Sequence, residues 1–435
     1  MNQQTSKSGK LGLKELISMG VGGMVGGGIF SVLGLSVAVS GHAAPIAFAL
    51  GGLIAFLTGF SYTKLGLTYH SDGGSFTYLE HAFKHRNISG IGGWLLLTGY
   101  VGTLALYAYT FGVYGAAMFG QNIHVHGMQH LLESLVLLLF LGVNLYGVKA
   151  AGKSEDVIVM VKVLILSLFA VVGLFYVKAD HLLPVFNLGK TGVLMGAALI
   201  FVAYEGFELI PNAVNEMENP RRDLGRGILI SIGITVAIYI LVSLVAVGNL
   251  LPQEISRYKE YALAAAARPF LGKSGFMLIG LGALLSTASA INATLFGTAR
   301  LGMVMAQESE LPRAFCHRER TKDIPYMSLI FITTLTLLFV NTTDLTIISS
   351  FASSTFLLIF AAINLSAIRL RARIGINIII PLTGLVLSVS SWAVLFIYLC
   401  KTNWRGLAWI GALYLCVIVA EFFFSERKLF FKRGA

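Results

Sequence analysis

The chain alternates long apolar runs with short polar segments from residue 11 to residue 424. We count about twelve apolar runs, each near the ~20 residues that a helix needs to cross a hydrocarbon core of about 30 Å. The pattern therefore predicts an all-α membrane protein with about twelve transmembrane helices. The runs span residues 13–40, 44–69, 89–118, 129–148, 156–177, 191–215, 226–250, 274–306, 326–342, 345–368, 376–400 and 404–424.

Two of these runs carry helix-breaking sequence at their centres. The first contains Val21–Phe30, with the letters VGGMVGGGIF, and the sixth contains Phe201–Glu208, with FVAYEGFE. A bilayer tolerates non-helical backbone only where protein or water covers it. Interrupted helices in corresponding positions of two halves are typical of the substrate site of a secondary transporter. We therefore predict that helices 1 and 6 are broken around a site near the middle of the membrane.

The positions of the two breaks predict an inverted repeat. Five runs can be counted from each break, so residues 11–178 form one five-helix repeat and residues 190–370 form a second. An odd number of spans in each repeat places the second repeat upside down in the membrane. Residues 375–425 supply two extra C-terminal helices, and residues 1–435 together form one integral membrane domain.

Composition and charge agree with a membrane location. Hydrophobic residues make up 56% of the 435 residues and charged residues only 12%, whereas soluble chains carry about 25% charged residues. The net charge of +11 comes from Lys and Arg that concentrate in alternate loops, such as Arg221–Arg222 and Arg369–Arg373. This bias predicts cytoplasmic termini in a plasma (inner) membrane. It also accounts for the basicity without a nucleic-acid partner.

Two polar stretches between the runs are predicted to be short amphipathic helices. Residues 72–83 are too polar to span the membrane, and we expect them to lie along its inner surface. The stretch 253–267 has Ile255, Tyr258 and Tyr261 at helical spacing, and we expect it outside the membrane.

Four motifs, in this order along the chain, resemble the amino acid–polyamine–organocation (APC) superfamily. They are VGGMVGGGIF at 21–30, GGSFTYLEHAF at 73–83, FVAYEGFE at 201–208 followed by NEMENPRRD at 215–223, and STASAINAT at 286–294 running on to Arg300 and Glu310–Pro312. The chain is identified as a member of this superfamily, similar to its broad-specificity proton-coupled amino acid transporters. The resemblance implies a 5+5 inverted-repeat fold, transport by alternating access, and no enzymatic activity.

Gly26, Gly27 and Gly28 of the first break allow the backbone to leave the helix and to approach a ligand closely. Unwinding there leaves N–H and C=O groups around Val25 without helical partners. The N-terminus of the half-helix that begins at this point favours an anion. We therefore expect it to bind the carboxylate of an amino acid, with close packing of small residues as the alternative role.

Gly206 is the expected pivot of the second break, where it is surrounded by Phe201, Tyr204 and Phe207. The resemblance implies that carbonyl groups near Phe201 and Tyr204 receive the substrate ammonium, and that an aromatic ring closes over the ligand. Tyr107, from the third run, is expected to line the substrate path. Ordinary packing is the alternative for these aromatic side chains.

Glu205 and Glu208 flank this pivot at membrane depth, where a charge costs about 2.5–3.5 kcal/mol or more. Either carboxylate can neutralise a cationic substrate or relay a proton. The alternative is that unwound N–H groups cap one of them, or that one faces an aqueous vestibule. Both remain candidate residues for charge selectivity.

Lys162 lies deep in the fifth run, within Val159–Ile165. The resemblance implies that its ammonium replaces the sodium ion of sodium-coupled relatives, with contacts to carbonyls near Gly22 and to Ser286 or Ser289. Release of the proton would then weaken the contact between spans and couple transport to protons. The alternative is a permanently protonated lysine that acts as a fixed substitute for sodium.

These patterns together predict a secondary active transporter that carries neutral amino acids by proton-coupled symport across the lipid bilayer. An exchanger of cationic amino acids or polyamines is the alternative, and a membrane enzyme is a more remote one. We expect an amino acid and protons as partners. No cofactor, metal, catalytic residue, nucleic acid or obligate protein partner is expected.

Overall fold

The computed structural model describes residues 11–71, 73–83, 86–119, 125–146, 152–307, 311–312, 315, 317 and 324–424. Within these ranges the regular secondary structure consists of α-helices and short 3-10 segments. The helices are α1 Leu13–Met24, α2 Gly28–Ser40, α3 Ala44–Thr68, α4 Gly74–Ala82, α5 Arg86–Phe119, α6 Val125–Tyr146, α7 Gly152–Leu174, α8 Lys190–Leu199, α9 Pro220–Asn249, α10 Pro252–Tyr258, α11 Ala262–Gln307, α12 Tyr326–Thr342, α13 Leu345–Arg369, α14 Arg371–Ile374, α15 Ile379–Thr402 and α16 Trp404–Phe424.

The helix bounds follow the apolar runs closely. α12 covers the run 326–342 without any shift, and α3 and α13 each differ from their runs by one residue at one end. A helix satisfies its backbone hydrogen bonds internally, so an apolar run without helix-breaking sequence folds in lipid as a helix over its length. The prediction of an all-helical protein is confirmed for the described residues.

The number of candidate membrane-spanning helices is lower than the number of apolar runs. Nine helical stretches in the described part of the chain are long and apolar enough to cross a membrane, or ten if α8 and the bent segment after it count as one. The apolar runs predict about twelve. The count is lower because α2 and α3 are joined into one stretch, Gly28–Thr68, and because α12 falls just below the length of a span. α1 has only 12 residues because the first break ends it.

The two short polar stretches fold differently from their prediction. α4 forms within 72–83, but Phe76, Tyr78 and Leu79 are buried, so it packs into the helical bundle. The hydroxyl groups of Tyr62 on α3 and Ser75 on α4 lie 2.7 Å apart, which fixes the contact. An amphipathic sequence was correctly recognised here, but its apolar face meets protein.

The stretch 253–267 is two helices and not one. α10 ends at Tyr258 and α11 begins at Ala262, with a sharp turn at Lys259, whose φ is 1° and ψ is −60°. The Tyr109 hydroxyl on α5 donates a 2.6 Å hydrogen bond to Glu260 Oε1 in this turn. The turn is therefore fastened to the bundle, which helical spacing alone could not indicate.

Burial separates a central group of helices from a peripheral one. α5 and α13 are mostly buried, whereas α6, α7, α15 and α16 each have only a minority of their residues buried. On α6 and α7 the exposed side chains include Leu131, Leu135, Leu138, Met160 and Leu164. An apolar belt of this extent is expected where lipid, and not water, covers the protein.

The segment before α1 pairs with the end of the second broken run. Leu11 N–H donates to the Glu216 carbonyl at 2.8 Å, and Glu218 N–H donates to the Leu11 carbonyl at 3.0 Å, which forms a parallel bridge between Leu11 and Met217. Several basic residues that orient the chain in the sequence argument lie outside the described residues, among them Lys7, Lys10, Arg427, Lys428, Lys432 and Arg433.

Candidate functional site

The first run is interrupted where its glycines predict. α1 ends at Met24 and α2 begins at Gly28, so Val25, Gly26 and Gly27 lie between them. Gly26 N–H bonds to the Met24 carbonyl at 2.8 Å, only two residues back, which is not a helical hydrogen bond. The interruption removes helical partners from the carbonyl groups that precede it.

Four successive carbonyl groups at this break, from Gly22 to Val25, accept hydrogen bonds from side chains of four different helices. The donors and oxygens are Lys162 Nζ on α7 to Gly22 O at 2.7 Å, Tyr107 OH on α5 to Gly23 O at 3.3 Å, Tyr239 OH on α9 to Met24 O at 2.7 Å, and Ser286 Oγ on α11 to Val25 O at 2.5 Å. Polar side chains therefore replace the lost helical bonds, and the break has a defined shape.

Lys162 and Ser286 come together at the break as the sequence predicts. The Lys162 side chain is only 1% exposed, so its ammonium requires hydrogen-bond acceptors inside the bundle. The bond to Gly22 supplies one. Ser289, one turn beyond Ser286 on α11, is only partly buried, and the contact with the break is made by Ser286.

The sixth run, which is the second of the two broken runs, is interrupted between α8 and the segment that follows it. α8 ends at Leu199, and the axis bends by 54° into the 3-10 segments Phe201–Tyr204 and Phe207–Glu216. Gly206 lies between these segments with φ of +115°, a conformation that L side chains rarely adopt. The expected pivot is therefore the residue where the backbone turns.

Serines of α13 hold the start of this second break. Ser349 Oγ and Ser353 Oγ both donate to the Leu199 carbonyl, at 3.0 and 2.8 Å. Ser353 Oγ also accepts from Val202 N–H at 3.0 Å. One hydroxyl thus satisfies a donor and an acceptor that the bend separates.

The two breaks lie directly against each other. A Cβ atom on Gly206 would stand 2.5 Å from the Gly23 carbonyl carbon, and one on Gly28 would stand 2.7 Å from Ala203 Cα. The Tyr239 hydroxyl donates to Met24 O and lies 3.1 Å from Ala203 O, so it contacts both breaks. Of the predicted site glycines, Gly28 and Gly206 therefore lie where the two breaks meet.

Gly26 and Gly27 face α5 and not the second break. A Cβ on Gly26 would approach the Tyr107 ring to 2.7 Å, and a Cβ on Gly27 would stand 2.9 Å from Thr110 Oγ1. Thr110 also accepts a 2.7 Å hydrogen bond from Ser31 Oγ of α2. The missing side chains thus let Tyr107 reach the unwound backbone.

The aromatic residues around Gly206 are packed. Phe201 and Phe207 both contact the Phe360 ring, with centroids 5.3 and 5.2 Å away. The Tyr204 hydroxyl donates to the Phe48 carbonyl at 2.6 Å. All three side chains are fully buried. In this conformation they pack the second break against α3 and α13.

Glu205 and Glu208 have different surroundings although both are buried. Glu208 Oε2 accepts the Gly206 N–H at 2.6 Å, and Oε1 accepts the Tyr100 hydroxyl at 3.2 Å. Glu205 Oε2 has no hydrogen-bond partner among the described residues. The alternative that unwound N–H groups cap one carboxylate therefore applies to Glu208.

Sequence reasoning missed Tyr239, Ser349, Ser353 and Thr110. Each lies within a helix whose sequence shows no break, where a lone hydroxyl is commonly bonded to its own helix. Only the three-dimensional contact with a distant carbonyl distinguishes these residues. A serine-rich stretch on α13, Ser349–Ser354, was the one local signal available.

Comparison with known proteins places this geometry in a family. The profile of the family described as amino acid permease matches residues 11–431. The chain belongs to the amino acid permease family. The resemblance to the APC superfamily predicted from the motifs is thereby confirmed.

Several relatives of this permease are named as transport proteins. It is 32% identical to the inner membrane transport protein YbaT of Escherichia coli K12 over 97% of this chain and 98% of the relative. It is 25% identical to the branched-chain amino acid permease BcaP of Bacillus subtilis 168, over 84% and 81% of the two chains. It is 28% identical to the serine/threonine exchanger SteT of the same organism, over 70% of each. The permease is therefore a multi-pass membrane transporter and not an enzyme.

Proposed function

We propose that the permease carries neutral amino acids by proton-coupled symport, with alternating access around the two contacting helix breaks. The observation that supports this most is the set of side chains from four helices that converge on successive carbonyl groups at Gly22–Val25. Such convergence at an unwound backbone is expected of a binding site at the middle of a membrane. A break with only a packing role needs no buried cation beside it.

The architecture proposed is twelve spans arranged as two inverted repeats of five and a final pair. The spans are α1 with α2, then α3, α5, α6, α7, α8 with the 3-10 segments after it, α9, α11, α12, α13, α15 and α16. Each repeat then begins with a broken span, so the repeats comprise 11–178 and 190–370, with 375–425 following. Both termini are cytoplasmic in this arrangement, and the membrane is the plasma membrane.

The substrate's α-carboxylate would bind at the N-terminus of α2, formed by Val25, Gly26, Gly27 and Gly28. N–H groups at a helix start have no intrahelical partner and attract an anion. The α-ammonium would take carbonyl oxygens of the second break near Phe201 and Tyr204. Tyr107, which lies against Gly26 and Gly27, would form one wall of the site.

Proton coupling would use Lys162. Its ammonium donates to Gly22, which is only one residue from Gly23, the point of contact with Gly206. A neutral lysine would form a weaker hydrogen bond than an ammonium does. Loss of the proton would thus loosen α7 from α1, while Ser286 keeps α11 in contact with Val25.

An exchanger of cationic amino acids or polyamines is a second candidate. Two buried carboxyl groups, Glu205 and Glu208, lie at the second break and favour it. The names of the relatives include a permease for branched-chain amino acids and an exchanger for serine and threonine. These names support amino acids as the substrate class and leave symport and exchange to experiment.

Purified permease in liposomes tests both functions. We expect uptake of leucine and alanine that increases when the outside is acidified, and little uptake of arginine or putrescine. Uptake of arginine or putrescine that requires amino acid inside the liposome, and ignores the pH gradient, would replace symport by exchange. Empty liposomes under the same gradient are the control.

A further inference from the structure

We propose that Glu205 selects substrates by their side chains, favouring amino acids whose side chain carries a hydrogen-bond donor within a few bonds of the α-carbon. This inference rests on amino acid transport at the two breaks and applies to both candidate functions, since a hydroxyl group is neutral and an ammonium group is cationic. Hydroxyl and ammonium groups are the donors that short amino acid side chains offer. The argument begins from the different surroundings of Glu205 and Glu208.

Both carboxylate oxygens of Glu208 accept hydrogen bonds from the protein. One of its oxygens accepts the backbone N–H of Gly206, and the other accepts the Tyr100 hydroxyl. The first bond closes the turn at which Gly206 adopts its positive φ. Each oxygen of Glu208 therefore already has a donor from the protein, so neither is left unpaired, and we assign Glu208 to stabilising the break.

Glu205 is equally enclosed but incompletely bonded. It is 2% exposed, and its Oε2 atom has no hydrogen-bond partner among the described residues. A buried oxygen without a donor is costly, and native proteins retain few of them. Such an atom beside a binding site calls for a donor that arrives with the ligand.

The position of Glu205 makes the substrate a suitable donor. Glu205 immediately precedes Gly206, which lies against Gly23, and the Tyr107 hydroxyl donates to the Gly23 carbonyl. The same Tyr107 ring lies against Gly26 and Gly27, where the α-carboxylate is proposed to bind. An amino acid held by its α-groups between the breaks would therefore direct its side chain toward this wall, within reach of the open oxygen.

The physical basis of selection is the cost of leaving Oε2 unpaired. A carboxyl oxygen accepts a hydrogen bond whether the group is ionised or protonated. An apolar side chain of the same size would cover this oxygen without bonding it, whereas a hydroxyl or ammonium would satisfy it. Hydrogen bonds to charged groups correspond to at least about tenfold discrimination, and sites built to bind a polar group can reject its apolar isostere much more strongly.

Isosteric substrate pairs test the proposal on the unmodified permease. Threonine and valine differ by a hydroxyl in place of a methyl group, and 2,4-diaminobutyrate and norvaline differ by an ammonium in place of a methyl group. In liposomes under an imposed pH gradient, we expect kcat/KM to be at least about tenfold higher for the donor-bearing member of one pair or both. Equal values within both pairs would overturn the selectivity and leave amino acid transport intact.

Two substitutions assign the discrimination to Glu205. Glu205→Leu should bring the threonine-to-valine ratio to about one while valine is still transported, because the unpaired oxygen is gone. Glu205→Gln keeps an acceptor oxygen without charge, so it should retain preference for threonine and lose any preference for diaminobutyrate. A wild-type threonine-to-valine ratio in Glu205→Leu would contradict the proposal. If that variant fails to fold, Glu205→Met, which also removes both carboxyl oxygens, is measured in its place.

Two further glutamates serve as matched controls. Glu208→Gln should lower the amount of stable protein and overall uptake without changing the ratios, because its role is at the pivot. Glu218→Gln, at an exposed position, should leave uptake and ratios unchanged. A ratio that shifts in the Glu208 variant as much as in the Glu205 variants would assign selection to the break as a whole and overturn the specific role of Glu205. Failure to take up any amino acid would overturn the proposed function and this inference together.

Discussion

The two helix breaks solve the same problem by different means. At the first break, carbonyl groups lose helical donors and gain side-chain donors from α5, α7, α9 and α11, one of which is the buried Lys162. At the second, a glycine with positive φ donates its N–H to a neighbouring glutamate, and the nearby Phe201 and Phe207 pack on Phe360. The first break is therefore held by polar side chains that reach it from four other helices. The second is held by aromatic packing together with hydrogen bonds of Glu208, Ser349 and Ser353.

The largest effect is expected where the breaks touch. Gly206→Ala adds a Cβ that meets backbone atoms of Gly23 at 2.5 Å and forces a side chain into an unfavourable φ. Unfavourable φ alone costs about 1–2 kcal/mol, and displacing backbone adds to it. We expect little folded protein by size-exclusion chromatography in detergent.

Gly375→Ala is the matched control for this change. Gly375 also has positive φ, at 61°, but a Cβ there meets nothing within 4 Å. It should lower the melting temperature only slightly, since it carries the conformational cost of about 1–2 kcal/mol without the collision. Equal behaviour of the two variants would show that contact between the breaks is unimportant.

The next largest effect concerns the polar first break. Lys162→Ala removes the donor to Gly22 and should abolish amino acid accumulation driven by a pH gradient, because the titratable link is lost. The variant should still be recovered from the membrane, so uptake is normalised to protein in the liposomes. Lys178→Ala, at an exposed site outside the helices, is the control. Undiminished gradient-driven uptake by the Lys162 variant would refute its role.

A third change fills the space where α5 meets the first break. Gly27→Val places a side chain against Thr110 and Tyr107, whose nearest atoms lie 2.9 Å from the added Cβ. Overpacking costs about 1–3 kcal/mol, and we expect substrate affinity to fall by about tenfold or more. Gly233→Val on α9, where a Cβ meets nothing within 4 Å, should leave affinity unchanged. Unchanged binding in the Gly27 variant would count against a site at this glycine.

The smallest effect is expected at Tyr239, which contacts both breaks. Tyr239→Phe keeps the ring that packs on Phe48 and Tyr204 but removes the hydroxyl that contacts Met24 and Ala203. Leaving buried acceptors unpaired costs about 1–3 kcal/mol, which should appear as a lower melting temperature. The same change at Tyr176, which is exposed, should have no measurable effect.

The local sequence predicted more of the fold than of the candidate site. Apolar runs predicted helix bounds to within a residue at α12 and α3, because hydropathy and helix formation are both local in lipid. The glycines predicted both breaks because the interruption of a helix also depends on local residues. The partners of those breaks are set by packing between distant helices, so Tyr239 and Ser353 were missed. Phe201 and Phe207 were expected to line the site, but here they pack on Phe360.

The parallel bridge at Leu11 offers a native reporter of the transport cycle. Its two amides, at Leu11 and Glu218, connect the start of the first broken run to the end of the second broken run. Any motion that draws these ends apart must expose both amides to solvent, since no regular sheet surrounds them. Deuterium uptake at the amides of Leu11 and Glu218 would therefore record how often these two ends separate. The measurement needs no attached probe and no substrate.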